Sequence, residues 1–152
     1  MLKRLESPTM RHALAFSGLF LAFAASPTLS QDNEAYFGRQ FRNLEQDSRV
    51  PLNLVQNYRV RLAPDGESTF GIRLQAGVDY SVVGVCDAKC LDLHLTASAP
   101  GGAVLAEETR AGDAPVVRFT ARSAGLYAIK VKMADCWAER CEAAFRLYTR
   151  RR

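Results

Sequence analysis

Histidine is nearly absent from this chain. Of two in 152 residues, His12 sits among the first thirty and only His94 lies in the body. A Ser-His-Asp hydrolase would need that one imidazole beside a nucleophile in an enclosed pocket, and a strand face offers little enclosure. No H-E-x-x-H, G-x-S-x-G or phosphate-cradling glycine loop occurs. C-x-x-C pairs of the zinc and thioredoxin type are missing. So is an uninterrupted apolar run of the roughly 20 residues that span a membrane. The chain has a single Trp, Trp137. No element joins clustered Lys and Arg to aromatic platforms, which argues against nucleic acid as a partner. Together these absences point to a protein that is not an enzyme and that uses no cofactor and no metal.

The formal charge of +4 is carried by the ends. Lys3, Arg4 and Arg11 exceed Glu6 by two, and Arg150, Arg151 and Arg152 add three, so the body between them stands at −1. The terminal arginines read as a solvated tail.

The first thirty residues differ from the rest. A basic start is followed by an uncharged apolar run over 13–25, then by small residues and Pro27. That order is a secretory signal peptide. Cleavage after Ala24 or after Ser30 satisfies the small-x-small pattern, and the polar chain from Gln31 favours Ser30. Met10 offers a second start beside Met1. The expected compartment is the periplasm or the exterior.

Four cysteines follow as two close pairs, Cys86 with Cys90 and Cys136 with Cys141. An even count in an exported chain reads as disulfides. Four cysteines allow three connectivities. The local pairing is favoured, because both pairs fall at turns, and cross-pairing stays open should those turns share one end of the fold.

Residues 31–50 read as a helical extension. Tyr36, Phe37, Phe41 and Leu44 recur at helical spacing, Asp32 or Asn33 caps the start, and Pro51 closes the region. From residue 54 the period falls to two. About eight short apolar-polar runs follow, punctuated by Pro64-Asp65-Gly66, Gly77, Gly101-Gly102 and Gly125. Eight short strands with turn signals at this spacing predict an all-β, antiparallel, jelly-roll-like sandwich with a short N-terminal helix. In this reading Leu91, Leu93 and Leu95 share the core face, and Asp92 and His94 point out together.

Candidate binding residues gather around residues 80–95. Asp87 lies inside the first cysteine pair, and Asp92 and His94 follow it. They read as an acidic rim or as a solvated face beside Lys130 and Lys132. Trp137 lies inside the second pair. Packed over its disulfide it would be structural, and exposed in a pinned loop it would suit a sugar or a protein partner.

The stretch over 74–95, L-Q-A-G-V-D-Y-S-V-V-G-V-C-D-A-K-C-L-D-L-H-L, carries a resemblance, with Pro115-Val116-Val117, Gly125-Leu126-Tyr127 and Val131-Lys132-Met133. It resembles the bacterial pre-peptidase C-terminal (PPC) type domain over residues 54–149, in its small exported form. The resemblance implies a jelly-roll-like fold and a non-catalytic module accompanying secreted proteins. The family pattern usually has an acidic residue where His94 stands, so a cation role for Asp92 does not carry over. The function expected is an exported non-catalytic module that binds a protein or an envelope or extracellular polymer such as a cell-envelope polysaccharide, with a purely structural envelope protein without a small ligand as the alternative and a hydrolase as the least favoured reading.

Overall fold

The computed structural model describes residues 29–47 and 52–150. Residues 1–28, with the apolar run and the Ala24 cleavage point, lie outside them, as do Pro51 and residues 151–152. The helix α1 spans Leu29–Asp47, beginning two residues ahead of the boundary read from the sequence. Eight strands follow: β1 Leu52–Leu62, β2 Glu67–Leu74, β3 Asp79–Cys86, β4 Cys90–Ser98, β5 Val104–Glu108, β6 Val116–Thr120, β7 Gly125–Cys136 and β8 Cys141–Arg150.

They pair antiparallel as β1 with β8, β2 with β7, β3 with β6 and β4 with β5. The chain is thus one long hairpin whose tip is the β4–β5 turn. Gly101 and Gly102 occupy that tip with φ of +96° and +93°, a region side chains disfavour. Two further pairings, β3 with β8 and β4 with β7, roll the hairpin into two sheets. One has the order β1-β8-β3-β6 and the other β2-β7-β4-β5. This is an all-β sandwich of jelly-roll type.

Alternation supplies the core between the sheets. Tyr127, Ile129, Val131 and Met133 of β7 point in, and Leu126, Ala128, Lys130 and Lys132 point out. Tyr58, Phe70 and Phe145 meet across the sheets, with the Tyr58 and Phe145 rings stacked at 4.6 Å. Gly84 of β3 leaves room for side chains from its surroundings: a Cβ there would meet Leu95 and Pro115 at 3.2 Å.

β8 and β3 are apolar on both faces because α1 covers the outside of their sheet. Phe37 and Phe41 pack with Val83, Val85, Ala144 and Tyr148 in a second, smaller core. The Arg59 guanidinium lies 5.0 Å over Phe37 and that of Arg146 lies 4.2 Å over Phe41. Glu34 and Glu45 of α1 pair with the same two arginines. The outer face of the other sheet has no such cover among the described residues.

One alternation reads differently in three dimensions. The register of β4 on β7 shifts between Cys90 and Asp92, and again before Leu93. A bulge inserts one residue and turns the side chains before it. Leu93 and Leu95 are fully buried as expected, but Leu91 is 55% exposed.

Candidate functional site

β3 lies in one sheet and β4 in the other, so residues 86–90 form a corner between sheets and not a hairpin turn. The β7–β8 connection crosses back at the same end. Each corner is closed by its own disulfide, Cys86–Cys90 and Cys136–Cys141, with Cα separations of 5.8 and 6.1 Å. All four cysteines are buried.

The two corners are also tied to each other. The Asp87 amide donates to the Glu142 carbonyl at 2.9 Å, and the Glu142 amide donates to Asp87 Oδ2 at 2.8 Å. The Lys89 amide takes Asp87 Oδ1 at 3.1 Å. On the other sheet Cys90 stands opposite Cys136, and the Trp137 amide donates to the Lys89 carbonyl at 3.1 Å. Asp87 therefore spends both carboxylate oxygens on backbone amides, and only 9% of the residue is exposed. It is a structural brace.

Trp137 faces the other way, 73% exposed. Its backbone is held by the adjacent disulfide and by Lys89, while its indole is left in water. Leu91 sits one position beyond Cys90, where the register on β7 skips from Cys90 to Asp92. The end of the sandwich thus presents two large apolar side chains on backbone that is fixed twice. Exposed apolar groups scattered singly need no explanation, but a Trp on a disulfide-clamped loop and a Leu turned out by a bulge, both at the clamped end of the sandwich, are a built feature. Next to it lies a recess of about 530 Å³ between the two corners and α1. Asn33, Arg61, Lys89, Glu139 and Arg140 line it with Asp87.

Asp92 and His94 form a separate group. Asp92 Oδ2 lies 3.1 Å from His94 Nε2, and Asp92 Oδ1 accepts the Gly112 amide at 3.1 Å. The Leu93 amide donates to the Gly112 carbonyl at 2.8 Å. The pair thus fastens the β5–β6 loop to β4. Glu108, on the adjacent edge strand, is held down to about 2 by hydrogen bonds from the Arg110 side chain and amide. No group of three or more His, Cys, Asp or Glu able to hold a metal occurs among the described residues.

The four candidates read from the sequence therefore part company. Trp137 is presented outward, Asp87 is consumed by the corner, and Asp92 with His94 serves a loop. The sequence reading missed Leu91, Lys89, Arg61 and Arg140. Lys89 and Arg140 each directly precede the second cysteine of a pair, a signal available in the sequence; Leu91 required the bulge.

No protein-family model matches the chain, and no curated protein matches it. Among solved structures it is similar to a periplasmic inhibitor of g-type lysozyme from Aeromonas hydrophila, at 12% identity and a TM-score of 0.48. The alignment covers 63% of this chain and 85% of that one.

Proposed function

We propose that the protein is a non-catalytic, exported β-sandwich module that binds a protein partner through its disulfide-clamped end. The observation that carries this is the exposure of Trp137 on a backbone fixed by a disulfide and by Lys89. Rigid, exposed aromatics are where interfaces concentrate their energy, because burying them costs little conformational entropy. Leu91 adds a second exposed apolar group at this end, and the exposed Lys89, Asp135, Glu139 and Arg140, all within three residues of Leu91 or Trp137 in the chain, supply polar groups for a rim. The two disulfides support export to an oxidising compartment. The PPC-type family reading belongs to the same proposal.

The test is capture by the immobilised, oxidised protein from a cell-envelope extract, with Trp137→Ala in parallel. A partner held by the wild type is expected to bind the variant with about thirtyfold or more lower affinity, the effect of losing a hot spot of about 2 kcal/mol. Equal capture by both, or retention of glycan and no protein, overturns the reading.

A further inference from the structure

The recess beside Trp137 has more unpaired cations than free carboxylates. Arg61, Lys89 and Arg140 bring three cations to it. Asp87 and Glu139 bring two carboxylates, but Asp87 has both oxygens bound to the Lys89 and Glu142 amides. Glu142, beneath the recess, is shared by Asn33 at 2.9 Å, Arg59 at 3.2 Å and Arg61 at 3.9 Å. Neither Lys89 nor Arg140 makes an ion pair among the described residues, and both side chains are exposed. Glu139 is thus the one acidic group of the lining with a free carboxylate, against two unpaired cations and a weakly paired Arg61. The charges are carried by backbone that is held, in the two braced corners and β1, and the Lys89 and Arg140 side chains are open to solvent.

We infer that this end recognises an acidic segment of a protein, carboxylates entering the recess against Lys89, Arg140 and Arg61 while an apolar side chain covers Trp137 and Leu91. The inference rests on the docking reading above and adds the chemistry of the partner. An acidic segment is favoured over a bare anion because the cations adjoin an exposed apolar centre, which a small anion would leave uncovered. The preference is electrostatic and exposed, so it weakens with salt.

Trp137 is the only tryptophan in the chain, so its fluorescence reports this site alone. Short synthetic peptides with a central Leu-Phe pair, flanked by glutamates, serines or lysines, would be titrated into the oxidised protein. At about 0.01 M salt the glutamate peptide is expected to perturb Trp137 emission with at least about tenfold tighter affinity than the lysine peptide, and the gap is expected to close near 1 M. In the double variant K89E/R140E, both changes being at exposed positions, the preference is expected to reverse. Equal affinity for all three peptides, or an unchanged preference in K89E/R140E, overturns the acidic specificity while leaving the Trp137 end as a docking surface. Silence from every peptide overturns both.

Discussion

Asp87 and Glu142 each stand one residue past a bridged cysteine, and they hold each other at two points: amide to carbonyl at 2.9 Å, and amide to carboxylate at 2.8 Å. The two corners of the sandwich therefore form one unit that neither disulfide alone would make. Asp87→Ala removes the acceptor of two part-buried amides and is expected to cost about 2 kcal/mol. Asp87→Asn keeps one acceptor oxygen and should cost about half as much. Glu139→Ala, on the exposed side of the same end, should stay within about 0.5 kcal/mol. Urea unfolding followed by far-ultraviolet circular dichroism of the sheets measures all three, and a neutral Asp87→Ala would refute the brace.

Leu91 and Leu93 give a second comparison, because strict alternation would make them equivalent. The bulge separates them: Leu93 is fully buried and Leu91 is turned into water. Leu93→Ala is expected to cost about 2–5 kcal/mol through lost burial and a residual cavity. Leu91→Ala should cost under about 0.5 kcal/mol and should weaken partner capture instead. A stability loss above about 2 kcal/mol in Leu91→Ala would place Leu91 in the core and contradict the bulge.

That pair also shows what was legible in the sequence. Period-two patterning reaches the strands because each strand buries one face, and the turn residues mark where strands end. It therefore locates eight strands, while the separate helical spacing of Phe37 and Phe41 marks the buried stripe of α1. It does not say which strand pairs with which, since pairing depends on contacts distant along the chain. Nor does it register a one-residue bulge, which reverses the side chains before it while leaving the composition unchanged. Asp87, Asp92 and His94 looked alike as polar residues near a cysteine pair. What separates them is the donor each one meets: the Glu142 amide for Asp87, and the Gly112 amide for Asp92. The direction of the Trp137 indole is not encoded in its neighbours along the chain, because a disulfide fixes a backbone without deciding which way an indole turns.

Tyr148 yields a pH prediction. Its ring packs under α1 and its hydroxyl donates to Glu45, which also takes Arg146 at 2.8 Å. Burial, aided by the Glu45 carboxylate and opposed by Arg146, raises the phenol well above its ordinary value near 10. A phenol whose folded pKa is raised contributes stability below pH 10 and loses it as the pH climbs towards the folded value. Tyr148→Phe should therefore lose about 1 kcal/mol at neutral pH and show a shallower fall in stability above pH 10. Burial also raises Tyr58, so the comparison with the variant is what isolates Tyr148. Tyrosinate absorbance tests the same point: wild type and variant should differ by no ionising phenol until the pH passes well beyond 10. Titration of Tyr148 at its ordinary value would mean α1 does not seal it.

The two disulfides should divide their effects between stability and binding. Each closes a loop of only a few residues, so the chain-entropy contribution of either falls below the ~3 kcal/mol of longer loops. Losing Cys86–Cys90 leaves the Asp87–Glu142 ring and the Cys90–Cys136 pairing in place. The paired Cys→Ala variant at 86 and 90 is expected to fold, with a loss of about 1–2 kcal/mol and nearly full partner capture. The paired variant at 136 and 141 frees the loop that carries Trp137, so ordering that loop must then be repeated at each binding event. It should show a similar stability loss but a fall in affinity of about tenfold. Removing both bridges should cost more than the two losses added, because the corners are in direct contact. Denaturation curves and binding measured on the same four proteins separate the two effects. Undiminished binding without the 136–141 bridge would show that the clamped Trp137 is not what the partner meets.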